Sequence, residues 1–310
     1  MRGHKVMLLP AAFLIALLIP EAWAGGSTAS FLKIGVGARP VGMGQAFVGI
    51  ADDVHALAWN PAGLSRLSRR ELGAMHAEMF ADTRYDFVGY AQPMRAGTLG
   101  AQASYLSQAA IESRGADRKA GGGFAAYDMA VGLGYGRMIW PHTRLGTQLK
   151  YLQSLIADVS AQGWAVDFGA LQGTPIAGLD VGLAVQNLGP GLKFMDERSP
   201  LPLTLAAGLG YRLSAGMLLA LDVRHLPHDR QTAVSVGSEY AVFSAMTLRA
   251  GYLGSLSRRA GGGSGADYMD ALHGLGAGFG LRLRGYGLDY AMTPFGELGN
   301  AQRVSLNLRF

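Results

Sequence analysis

The chain has 310 residues, 49% hydrophobic and 16% charged, with 46 glycines, no cysteine and a formal charge of +5. That apolar content excludes a disordered chain. Glycine at about twice its usual share of roughly 7% comes without the three-residue period of collagen. The positive charge is diffuse, with no basic run interleaved with aromatics, which argues against a nucleic-acid partner. The absence of thiols suits passage through an oxidising compartment.

Residues 1–24 read as a signal peptide. Arg2 and Lys5 precede an apolar stretch, 6–20, that is shorter than the ~20 residues a membrane helix needs. Ala22-Trp23-Ala24 then supplies the small-x-small cleavage pattern. Cleavage before Gly25 removes Arg2, Lys5 and Glu21 and lowers the charge from +5 to +4.

Residues 25–69 do not alternate. Within 38–67, ARPVGMGQAFVGIADDVHALAWNPAGLSRL, short helical patterns put Ala46, Phe47 and Ile50 on one face. Asp52 or Asp53 is placed to cap a turn running to Trp59. Pro61 ends that turn and forces Asn60 into an extended conformation. Being adjacent, Asp52 and Asp53 are expected to point apart. The segment reads as a compact hatch.

From residue 70 to 310 the apolar period is two. In 127–135, Tyr127, Met129, Val131, Leu133 and Tyr135 oppose Asp128, Ala130, Gly132 and Gly134. The pattern returns in 164–170, 179–185 and 304–310. Fourteen strands are expected, near 71–80, 84–93, 97–107, 124–138, 143–155, 162–171, 178–187, 201–213, 216–225, 232–242, 245–254, 270–283, 286–292 and 302–310. Glycine weakens a strand, so a glycine-rich polar face is a poor water-facing surface. It suits the lumen of a wall whose other face meets lipid. The expected fold is therefore an all-β membrane protein, a 14-stranded antiparallel transmembrane β-barrel with a small N-terminal hatch in its lumen.

From the third connection onward, odd connections are longer than even ones. This is the pattern of outer loops and periplasmic turns, and it places both termini in the periplasm of an outer-membrane protein. Tyr135, Tyr211, Tyr240, Tyr286 and Phe310 fall near one end of their strands, and Tyr151, Trp164, Tyr252 and Tyr290 near the other, as two interfacial girdles. The terminal Phe310 resembles the signal read by outer-membrane assembly machinery.

The inward set contains Asp128, Lys150, Asp167, Asp180, Asp222, Arg224, Glu239, Arg249, Arg282, Asp289 and Arg303. Turn centres predict Glu239 beside Arg249, Arg303 beside Asp289, and Arg282 opposite or diagonal to Asp289. Gly274, Gly276, Gly278 and Gly280 form a bare inner stripe on which the hatch could rest.

The segment 31–64, FLKIGVGARPVGMGQAFVGIADDVHALAWNPAGL, is similar to the hatch of the FadL superfamily of outer-membrane barrels, and most similar to its PorV/PorQ branch. Gly37, Ala38, Arg39, Gly42, Met43 and Gly44 match the first part of the motif. Asp52 and Asp53 match its acidic pair, and Trp59, Asn60, Pro61, Ala62 and Gly63 its turn. The resemblance implies plugging and gating roles for these residues. It implies either passage of hydrophobic small molecules such as long-chain fatty acids, or a type IX secretion role in binding exported proteins through loops 108–123, 188–200 and 255–269. Phe47, Trp59 and Phe194 are candidate ligand-lining residues in an apolar pocket between hatch and upper barrel.

No HExxH, P-loop or GxSxG signature occurs, and the glycine repeats lack a βαβ context. No enzyme, cofactor or metal is expected. His55 stands alone in the hatch, and His76, His225 and His273 lie on separate strands.

Overall fold

The computed structural model describes residues 26–114, 120–214, 216–256, 274–294 and 299–310. The expected signal peptide and His273 lie outside the described residues.

The period-two pattern resolves into strands β1 (Glu71–Glu78), β2 (Arg84–Met94), β3 (Gly97–Arg114), β4 (Ala120–Trp140), β5 (Thr143–Ile156), β6 (Val159–Gly173) and β7 (Leu179–Leu188). A short hairpin, β8 (Leu192–Phe194) and β9 (Glu197–Ser199), follows. The wall resumes with β10 (Thr204–Arg212), β11 (Met217–Leu226), β12 (Gln231–Phe243), β13 (Met246–Ser255), β14 (Leu275–Leu283), β15 (Tyr286–Pro294) and β16 (Asn300–Arg309). Each wall strand pairs antiparallel with its neighbours, and β1 pairs with β16, so fourteen strands close into a barrel. Closure leaves no unpaired edge, which a wall in hydrocarbon requires.

The faces are disposed as the alternation predicts. Val131, Leu133, Leu149, Val236, Leu248 and Leu306 are exposed on the outside, whereas Lys150, Asp167, Asp222, Arg249, Asp289 and Arg303 are buried on the lumenal side. The aromatic rings divide between the two ends. Tyr211, Tyr240, Tyr286 and Phe310 are exposed near the short turns, as are Trp140 and Phe243; Trp164 and Tyr252 are exposed near the long loops. A polar pair lies on the outer face: His76 Nδ1 is 2.7 Å from Asp86 Oδ1, both half-exposed on β1 and β2.

The turn between β14 and β15 is two residues, Arg284 and Gly285, both at positive φ. This is the geometry whose twist matches paired strands.

Two expectations are corrected. β3 and β4 extend well beyond 107 and 124, with their register shifting after Gln108. The connection after β7 is not a simple outer loop; its hairpin folds over the lumen, with Leu192 and Leu201 buried against Phe31 and Leu152. The first and last described residues lie at opposite ends of the barrel. Ser27 bonds to Asp229, in the turn between β11 and β12, whereas Phe310 bonds to Arg70 at the opposite end. The described part of the hatch thus traverses the lumen.

Candidate functional site

Residues 26–70 run from the long-loop end to the first strand, and between their exposed ends they lie within the lumen. After a 3-10 turn at Ser30–Lys33 come two short helices, α1 (Ala38–Gly42) and α2 (Ala56–Trp59), and a 3-10 helix at Pro61–Arg66. Irregular backbone at membrane depth must find partners for its amides, and here the wall supplies them. Ser305 Oγ accepts from the Ala38 N–H at 2.9 Å, and Glu71 Oε1 from Val54 at 3.3 Å. Asp222 Oδ2 accepts from both Phe47 and Val48, at 2.6 and 2.7 Å. Gln186 Nε2 donates to the Ala58 and Trp59 carbonyls at 2.7 and 3.1 Å, completing the end of α2. The alternation had placed Asp222 inward, but the roles of Glu71, Gln186 and Ser305 left no sequence signal beyond an inward position.

The Trp-Asn-Pro turn is the joint of this assembly. Asn60 is extended, at φ −156° and ψ 101°, as a residue before proline should be. Its side-chain oxygen accepts from Ala62 N, capping the 3-10 helix. Its amide donates to Val48 O within the hatch at 3.0 Å and to Ala170 O on β6 at 3.1 Å. Gly169 and Gly146 make room for the turn: a Cβ at these positions would lie 2.1 Å from Asn60 Oδ1 and 2.3 Å from the Pro61 carbonyl carbon. Gly63 is equally confined, with Ala51 O at 2.6 Å from such a Cβ. Trp59 Nε1 donates to Val36 O at 2.9 Å, and its ring meets Phe47 edge-on at 6.3 Å.

The same steric logic extends around the wall. Met43 and Gly44 sit against Gly237 and Gly251, Val48 and Gly49 against Gly182 and Gly208, Val54 against Gly73 and Gly89, and Leu57 and Leu64 against Gly100 and Gly134. Of the stripe on β14, Gly276 and Gly278 face the hatch, near Val41 O and Gly42, while Gly280 leaves space for Arg249 and Asp289. The hatch fills the lumen at this level.

Arg39 joins hatch to wall. Its guanidinium meets Asp52, Asp53 at 3.0 Å, and Glu239 at 2.8 Å, and lies 5.3 Å from the Phe47 ring centroid. The adjacent carboxylates thus converge on one cation; they do not point apart. A turn at residues 53–55 brings this about, in which Asp53 Oδ1 also accepts from the His55 N–H at 2.9 Å. Asp52 further pairs with Arg212 at 2.9 Å. Glu239 is cross-strand from Arg249, as predicted, at 2.6 Å; Arg249 continues to Asp289 at 2.7 Å, and Arg282 reaches Asp289 diagonally at 3.0 Å. Arg303 does not reach Asp289. Asp289 faces Ser305, and Arg303 faces Ala291, with its guanidinium 3.5 Å from Thr293 Oγ1. The regular pairing, which runs out to Pro294 with Asn300, is centred on residue 297, one beyond the midpoint of Asp289 and Arg303, and this displaces the register by two residues from the turn-centre estimate.

Above the hatch, toward the long loops, lies a cavity of about 200 Å3. Trp59 lines it, with Phe87, Leu226 and Leu253 among its apolar walls and Arg224, Gln45, Gln102 and Lys150 among its polar ones. Phe47 is fully buried between hatch and wall, and Phe194 packs with the roofing hairpin; neither lines this cavity, which is mixed in character where an apolar one was expected. Larger depressions, of about 400 and 600 Å3, lie on the outer wall, where lipid-facing residues such as Ala74 and Leu306 line both.

A model described as "Uncharacterised protein family (UPF0164)" matches residues 24–150. No curated protein matches the chain. Among solved structures, the Pseudomonas putida toluene transporter TodX is similar with a TM-score of 0.61 at 15% identity, over 88% of this chain and 96% of its own. The Ralstonia pickettii toluene transporter TbuX gives 0.64 at 12%, over 89% and 98%. A Pseudomonas aeruginosa FadL homologue gives 0.60 at 11%, over 92% and 99%. The fold is that of FadL-like outer-membrane barrels.

Proposed function

We propose that the chain is a passive outer-membrane channel for small hydrophobic molecules, with the hatch as its closing element. The observation that carries this reading is the partly aromatic cavity between hatch and wall, directly above a plug that fills the barrel. The printed descriptions of the structural neighbours as toluene transporters agree with it. In this reading the long loops face outward, the short turns face the periplasm, and the strand ending in Phe310 is the one presented to the assembly machinery.

A hydrophobic solute gains about 25 cal/mol for each Å2 withdrawn from water, so a cavity walled by Trp59, Phe87, Leu226 and Leu253 is a resting place for one. Onward movement requires the hatch to leave its glycine seats. The alternative reading, a PorV-like protein that holds exported proteins, rests on segment 31–64 alone and finds no support among these neighbours. Of the three loops it needs, 255–269 falls largely outside the described residues.

The test uses the absence of native cysteine. A Cβ on Gly42 would lie 3.6 Å from the Ala291 Cβ, within the 3.5–4.5 Å that a disulfide spans. Cells carrying the Gly42→Cys/Ala291→Cys protein are expected to take up labelled toluene when the pair is reduced and to lose that uptake when it is oxidised. Uptake no greater than in cells without the protein would overturn the channel reading, and uptake indifferent to oxidation would overturn the gating role of the hatch.

A further inference from the structure

We infer that the lumenal cavity is a binding site for a small organic carboxylate with a compact apolar body, and that Arg224 is its anion-recognising residue. This rests on the channel reading and names the class of solute that pauses there.

Three cations line the cavity, and two are already neutralised. Lys150 pairs with Asp167 at 2.8 Å, and Lys33, at the rim, with Asp229 at 3.1 Å. Arg224 forms no ion pair among the described residues. The carboxylate two positions away on the same face, Asp222, is turned onto the Phe47 and Val48 amides. A guanidinium carries five N–H donors. Arg224 commits one to Gln45 Oε1, at 2.9 Å, while its Nε is buried without a partner. One face of the guanidinium lies 5.3 Å from the Trp59 ring centroid. Holding a cation out of water with donors unspent is costly unless an anion answers it. The planar fork suits a carboxylate, which accepts two parallel hydrogen bonds.

The remaining surroundings set the body of that ligand. Trp59, Phe87, Leu226 and Leu253 offer apolar surface, and the orphaned Gln102 Oε1 offers an acceptor that an anion would not occupy. The volume of about 200 Å3 lies below the ~300–1,000 Å3 of pockets for drug-sized molecules. A single-ring or short-chain acid fits this description, and a long-chain one does not.

The experiment measures quenching of Trp59 fluorescence in the full barrel in detergent, with Trp23, Trp140 and Trp164 replaced by Phe. Benzoate and toluene are the probes, being similar in shape and different in charge. Benzoate is expected to bind at least tenfold more tightly than toluene. Arg224→Met should abolish that preference by weakening benzoate at least tenfold. Gln45→Glu, which sets a resident carboxylate against the guanidinium, should weaken benzoate at least tenfold without a charge being removed from Arg224; it also covers the case in which Arg224→Met does not fold. Equal affinity for the two probes, or a benzoate preference that survives either substitution, overturns the inference. Neither result would touch the toluene-uptake test of the channel itself, which fails or succeeds separately.

Discussion

Arg39 is the residue on which the hatch's attachment turns. Its guanidinium serves two hatch carboxylates and one wall carboxylate, so removing it leaves acidic groups facing each other in a confined space. Removing one partner of a buried pair costs about 3–5 kcal/mol. Arg39→Ala is accordingly expected to lower the heat-induced gel-shift temperature of the folded barrel, and Arg39→Lys to lower it less. Equal migration behaviour of Arg39→Ala and the parent would contradict the latch. At the other end, Asp229 holds the start of the hatch. Burial disfavours its charge, but the Ser27 amide and hydroxyl and Lys33 outweigh this and hold its carboxyl below the usual range. A depressed folded-state value contributes stability that is complete above the unfolded value, near 4 for Asp, and is lost as pH falls through the lower native one. A spin label on Gly26→Cys should therefore be immobile at neutral pH and become mobile only in strong acid; Asp229→Asn should free it at neutral pH. A label whose mobility first rises above pH 5 would rule the anchor out.

At the scale of elements, strand and hatch meet through glycine. At Gly251 an added Cβ would lie 2.1 Å from the Met43 carbonyl carbon, whereas at Gly173 nothing comes nearer than 3.3 Å. Overpacking of this kind costs about 1–3 kcal/mol. Gly251→Ala is expected to expose the hatch to protease added to detergent-solubilised protein, and Gly173→Ala to leave it protected; identical digestion patterns would count against the seat. These positions explain what could be read beforehand. Alternation and glycine enrichment are local properties of a strand, so the wall, its inward charges and the Glu239–Arg249 pair were legible. The convergence of Asp52 and Asp53 on Arg39 was not, because a turn at 53–55 reorients adjacent side chains in a way that spacing cannot express. Arg303 falls beside Ala291 and not Asp289 because the turn is centred one residue later than the sequence suggests, and a one-residue error in a turn centre moves a cross-strand partner by two. The cavity's polarity was missed for a related reason. Arg224 lies far along the chain from Gln45 and Trp59 of the hatch, and only closure of the barrel around the hatch brings them together.

For the whole molecule, the decisive property is which side of the sheet meets hydrocarbon. Leucines, valines and two tryptophans cover the outside; the glycines and ion pairs face a lumen that the hatch fills. A soluble sandwich with the same alternation would bury those leucines against a second sheet and leave the charges in water. Tryptophan fluorescence in bilayers of brominated phospholipid separates the two arrangements directly, since bromine on an acyl chain quenches only rings in contact with it. In single-tryptophan proteins, Trp164 at 55% exposure and Trp140 at 63% should be strongly quenched, and Trp59 at 4% should keep its emission. Quenching of Trp59 with protection of Trp140 and Trp164 would contradict the account.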